Sequence, residues 1–103
     1  MAIVGRMISV LVPSRGRPKL CRAMCESALS SARGEIEILI GTNCDDDTKA
    51  YFDLAAMSGV RMFTFGALHT GSGIWNLLAG SARGDLLLMG NDDQAYVTPG
   101  WDM

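Results

Sequence analysis

No run of apolar residues in this 103-residue chain approaches the roughly 20 needed to cross a bilayer. The opening Met1-Ala2-Ile3-Val4-Gly5-Arg6 lacks the basic-then-apolar order of a secretory leader, so a cytoplasmic protein is expected. A basic excess is missing too: 9 Lys and Arg stand against 11 Asp and Glu, for a net charge of -2. Such a balance cannot neutralise a run of phosphates, which excludes general nucleic-acid binding and requires any bound phosphate to be met locally. Cysteine is scarce at 3 residues, and without CxxC spacing a zinc site is not expected. Cys21 and Cys25 stand one helical turn apart, where side-chain directions suit a disulfide badly, so all three thiols read as reduced packing residues. The single histidine, His69, has no second imidazole to share a metal and reads as an ordinary loop residue.

What is present describes a globular chain, with 49% apolar and 19% charged residues. Its length fits one domain spanning residues 1–103. Met7-Ile8-Ser9-Val10-Leu11-Val12, stopped by Pro13, has the pattern of a strand buried on both faces. Pro18 suits the first turn of a helix in which Lys19, Arg22, Glu26, Ser30 and Arg33 form the wet stripe. Cys21, Met24, Cys25, Ala28 and Ala32 form its apolar stripe, with Gly34 placed for a left-handed cap.

Further strands are predicted at Glu35 to Ile40, Val60 to Phe65 and Leu86 to Met89, with a helix from Thr48 to Ser58 that Gly59 ends. A third helix, capped by Ser72, carries Ile74, Leu77, Leu78 and Ala82 on one face. Leu86-Leu87-Leu88-Met89 is the most apolar strand and is expected mid-sheet. Ser31-Ala32-Arg33-Gly34-Glu35 and Ser81-Ala82-Arg83-Gly84-Asp85 are near copies at helix-to-strand junctions, where arginine complements the negative helix end and glycine supplies a cap. The βαβαβαβ alternation predicts an α/β protein: a three-layer α/β/α sandwich around a mainly parallel sheet with right-handed crossovers.

Ligands of open parallel sheets sit beyond the carboxyl ends of the strands. The loops there carry Arg15 and Arg17 beside Gly16, Asp45-Asp46-Asp47, and Asn91-Asp92-Asp93. Five of the 11 carboxylates thus gather on one edge, facing a small basic group. Such crowding is repulsive unless a cation is bound, and oxygen-only donors select a hard ion such as Mg2+ or Mn2+. Since magnesium takes few protein carboxylates and completes its shell with water and phosphate, a diphosphate would finish the site. Set against this are plainer readings: Asp45 to Asp47 as a solvated turn or helix cap, Arg15 and Arg17 as surface residues, and Trp75 and Trp101 as packing anchors.

From Ile8 to Asp102 the chain resembles the amino-terminal half of the inverting glycosyltransferases of family 2, which have the GT-A fold, Rossmann-like in this half. The resemblance rests on Val10-Leu11-Val12-Pro13-Ser14-Arg15-Gly16-Arg17-Pro18, on the acids after the second strand, on Asn76 in a helix that leads to Ala82-Arg83-Gly84-Asp85, and on Leu86-Leu87-Leu88-Met89-Gly90-Asn91-Asp92-Asp93. It implies that Pro13, Ser14, Arg15 and Arg17 serve the nucleotide, and that Asp45 or Asp46 accepts from a uracil-type ring N–H. Asn91-Asp92-Asp93 stands in place of the DxD motif, with Asn91 as a departure. The resemblance accordingly gives Mn2+ or Mg2+ to Asp93, and to Asp92 a contact with nucleotide or sugar.

The donor implied is a nucleoside-diphosphate sugar of UDP or GDP type. In the family the general base lies in the following half, so the chain ending at Met103 is expected to bind donor without efficient transfer and to need an acceptor-binding half or partner chain. Two other readings stand beside this one. Sugar nucleotidyltransferases share a related fold and a loop like Pro13 to Lys19, though theirs usually carries more glycine and lysine; the other reading is a non-catalytic nucleotide- or metal-binding module.

Overall fold

The computed structural model describes residues 7–14, 17–43, 51–65 and 71–90. Strand β1 (Met7–Pro13) is followed by helix α1 (Pro18–Ser31) and strand β2 (Glu35–Asn43). Tyr51 and Phe52 are helical and lead into a 3-10 turn, Asp53–Ala56. Strand β3 (Val60–Phe65), helix α2 (Gly71–Ala79) and strand β4 (Leu86–Met89) complete the described elements. All four strands are parallel, in the order β3-β2-β1-β4. This is the expected α/β architecture.

Strand alternation divides the apolar residues between two layers. Val10, Val12, Ile38 and Ile40 point to one face, where Cys21, Met24, Cys25 and Ala28 of α1 cover them together with Tyr51 and Leu54. Leu11 and Leu39 point to the other, under Ile74 and Leu78 of α2. Helix α1 starts on Pro18, whose missing N–H costs nothing in the first turn, and Arg22 pairs with Glu26 at 3.5 Å on its wet side. Cys21 and Cys25 are buried free thiols, as their place on the apolar stripe predicts.

Four expectations are corrected. Strand β4 lies at the edge of the described sheet, beside β1, and Leu86, Leu87, Leu88 and Met89 remain 38–61% exposed. Helix α1 ends through an extended Ala32 (φ -72°, ψ 143°) instead of a left-handed glycine, and among the described glycines Gly59 is the one with positive φ (91°). On α2, Leu77 is 42% exposed while Ile74 and Leu78 are buried, and the helix starts at Gly71, so Ser72 lies within it. Within the predicted second helix, the described part is helical only at Tyr51 and Phe52 before it tightens into the 3-10 turn; Thr48 to Ala50 lie outside the described residues.

Gly59 makes the reversal into β3 possible. Its positive φ is disfavoured for residues with a Cβ, and its carbonyl accepts the Ile38 amide at 2.8 Å, binding the turn to β2. Gly84 is required for a different reason. A Cβ there would stand 2.5 Å from Ser9 Oγ and 2.7 Å from the Met7 carbonyl, so the chain entering β4 lies directly against β1. The two near-copied segments therefore differ in three dimensions: Gly34 is exposed, whereas Gly84 is a close-approach residue.

Candidate functional site

Strand order locates the site. The chain lays β1, β2 and β3 in one direction, then returns to add β4 on the opposite side of β1. β1 and β4 thus flank the point where the strand order reverses, and the crevice outside the carboxyl ends of such strands is where open parallel sheets bind ligands. In register, β4 ends at Met89 opposite Leu11, whereas β1 runs on to Pro13, opposite Gly41 of β2.

Leu11 supplies the joint between the two strands. Its carbonyl accepts the Gly90 amide at 2.9 Å and the Trp75 indole Nε1–H at 3.1 Å. Trp75 packs partly buried against the Leu11, Leu39, Ile74 and Leu78 cluster, which is the arrangement of a packing anchor. Gly90, fixed in this way, begins the segment that continues in sequence to Asn91, Asp92 and Asp93.

At the exit of β1, Pro13 is half-buried at the strand end and Ser14 is buried, its amide donating to the Gly41 carbonyl at 3.0 Å. Ser14 Oγ and the Tyr51 hydroxyl share a hydrogen bond of 2.7 Å. The same phenol oxygen accepts the Arg17 amide at 2.8 Å. Arg17 in turn offers its carbonyl to the Cys21 amide at 2.9 Å, the first bond of α1. Its side chain is exposed, and a surface recess of about 350 Å³ is lined by Arg17, Pro18, Lys19 and Leu20. The positive end of the α1 dipole, with no acidic residue in its first turn, adds to the charge of Arg17 and Lys19 there.

Of the residues expected to bind nucleotide or metal, Pro13, Ser14 and Arg17 are thus at the carboxyl edge, and one tyrosine joins the last two. Arg15, Asp45, Asp46, Asp92 and Asp93 lie outside the described residues. Among the described residues no three His, Cys, Asp or Glu side chains gather into a metal-binding group. Tyr51 was not singled out from the sequence. Its signal is faint: a large ring with a polar tip, placed shortly after the acidic loop.

A second polar cluster occupies the opposite, amino edge, beneath the turn from α2 to β4. Glu37 is buried and accepts from Ser9 Oγ at 2.6 Å, the Arg83 amide at 2.7 Å and Arg61 at 3.1 Å. Arg61 also donates to the Ser81 carbonyl at 2.9 Å and lies over the Phe63 ring at 5.2 Å. Burial alone would raise the Glu37 carboxyl, but the bonds from Ser9, the Arg83 amide and Arg61 outweigh it and hold the group below the usual glutamate range. The neighbouring cavity of about 320 Å³ includes Glu37, Arg61 and Arg83 in its lining. Because Glu37 is satisfied by three donors within the fold, this cluster is a fastening of the α2–β4 turn.

No protein-family model matches the chain, and no curated protein matches it. Solved structures do. The 1–349 portion of S. aureus TarS superposes with a TM-score of 0.63 at 18% identity, over 84% of this chain and 27% of that one. Glucosyl-3-phosphoglycerate synthase from Mycobacterium tuberculosis, solved with Mn2+, uridine diphosphate and phosphoglyceric acid, superposes with a TM-score of 0.62 at 21% identity, over 92% of this chain and 36% of that one. The chain therefore has a GT-A-like glycosyltransferase fold and spans about a third or less of the length of these two neighbours.

Proposed function

We propose that this chain is the donor-binding portion of a family 2 glycosyltransferase, taking a nucleoside-diphosphate sugar at the crevice outside β1 and β4. The observation that carries the reading is the topology: the β1/β4 switch point falls where Ser14 and Arg17 are held. In this reading the Ser14–Arg17 loop receives the base and ribose, with Asp45 or Asp46 accepting from the base. The electropositive start of α1, with Arg17 and Lys19, favours the negative charge of the diphosphate.

Asp93, with Asp92 beside it, provides the oxygen donors that a hard divalent ion selects, and a bound Mn2+ or Mg2+ would stabilise charge on the departing diphosphate. Bound Mn2+ and UDP in the mycobacterial neighbour make UDP the first nucleotide to test and GDP the second.

Acceptor binding would fall to a further segment or to another chain. Parallel strands are normally covered on both faces, yet all four β4 side chains are exposed, which supports a covering structure along that edge. Thermal melting with UDP, GDP and CTP, each with Mn2+, tests the reading. Stabilisation by a nucleoside diphosphate supports it. Stabilisation by CTP alone would instead favour a nucleotidyltransferase, and no response to any of them would leave a module without nucleotide-binding function.

A further inference from the structure

We infer that Tyr51 is a positioning residue for the nucleotide site, setting the shape of the β1–α1 loop through its hydroxyl. The inference rests on the donor-binding reading and adds to it a residue outside the motifs that suggested that reading.

Tyr51 is fully buried, its ring packed in the layer that includes Val12, Cys21 and Leu54. A buried phenol requires partners for its polar tip, and Tyr51 meets Ser14 Oγ at 2.7 Å and the Arg17 amide at 2.8 Å. The two partners stand on either side of the pair Arg15-Gly16 in sequence. One oxygen atom, carried on a ring that packing holds still, therefore fixes the spacing between the exit of β1 and the start of α1. Ser14 is tied a second time, to the Gly41 carbonyl of β2 at 3.0 Å, and Arg17 a second time, to the Cys21 amide at 2.9 Å. Without the phenol oxygen each would keep its bond to the scaffold but lose its bond to the other side of the loop. Phenylalanine at this position would fill the same space and remove both of these hydrogen bonds.

Loss of this link lowers the fraction of molecules whose loop is ready for ligand, and apparent affinity falls by the same fraction. For two hydrogen bonds lost from an otherwise intact pocket, the expected loss is about tenfold. The test compares the wild-type chain with Tyr51→Phe in three measurements: thermal melting without nucleotide, amide exchange at Arg17, and calorimetric titration with UDP and Mn2+ far below both melting points. The expected result is a folded variant with faster Arg17 exchange and about tenfold weaker UDP binding. Equal UDP affinity in the two proteins, with only the melting temperature lowered, overturns the positioning role and leaves the donor-binding reading standing. Failure of the wild-type chain to bind UDP or GDP with metal overturns both.

Discussion

Ser9 donates its hydroxyl hydrogen to Glu37 Oε2 across the β1–β2 pair at 2.6 Å, with both residues buried. Each also receives an amide from the α2–β4 turn, Arg83 to Glu37 at 2.7 Å and Gly84 to Ser9 at 2.8 Å. Two strands and a turn are thereby joined around one carboxylate. Its folded-state pKa lies below the ordinary glutamate value, so its contribution to stability is complete above the unfolded pKa of about 4.3 and is lost as pH falls through the folded value. Glu37→Gln is expected to cost about 1–3 kcal/mol near pH 7, through loss of charge-assisted bonds. Melting curves at pH 7 and pH 3 should show the gap between wild type and variant narrowing in acid; a constant gap would mean the charge of Glu37 contributes nothing.

Gly84→Ala should be costly because the added methyl meets Ser9 Oγ at 2.5 Å, the Met7 carbonyl at 2.7 Å and the Ser9 amide at 2.8 Å. Backbone must move, and the Gly84 to Ser9 bond would weaken with it, for a loss of about 2–3 kcal/mol. Gly34→Ala, at an exposed position in the sister segment, is expected to cost much less. Urea denaturation of both variants measures the difference, and equal costs would contradict the close-approach role of Gly84.

Trp75→Phe removes the indole donor to Leu11 while Gly90 keeps its own bond to the same carbonyl at 2.9 Å. With one acceptor site still filled, the expected destabilisation is about 1–2 kcal/mol from the lost bond and reduced ring area. A residue serving only as a sugar platform would leave the melting temperature of the nucleotide-free chain unchanged.

The layers were legible because their signal is local and periodic. Val10 and Val12 alternate with Leu11, and Cys21, Met24, Cys25 and Ala28 repeat at helical spacing; each set is buried where its period places it. Position within the sheet was less legible. The apolarity of Leu86 to Met89 suggests a central strand, but composition does not fix a strand's place in the order, and β4 lies exposed at the edge of the described sheet.

Glycine at a helix-to-strand junction most commonly serves as a left-handed cap. At Gly84 the cause is instead the proximity of Ser9, 75 residues away, which no local pattern contains. Glu37 was hidden similarly, since a glutamate within a strand reads as solvent-facing until Arg61 on the adjacent strand is known to meet it at 3.1 Å. In the candidate site Arg17 stands out by its place in the loop after β1 and Ser14 by the family resemblance, and both lie at the carboxyl edge of the sheet. Tyr51, 34 residues beyond Arg17, became a partner only through the packing of its ring.

The central claim is most directly tested by calorimetric titration of UDP into the chain with Mn2+, then with the metal removed by a chelator, for wild type and Asp93→Ala. The account predicts measurable binding with Mn2+, a large loss on chelation, and little remaining metal dependence in the Asp93→Ala protein, whose far-UV spectrum should stay that of the folded chain. UDP affinity that is the same with and without Mn2+, or unchanged by Asp93→Ala, would contradict it.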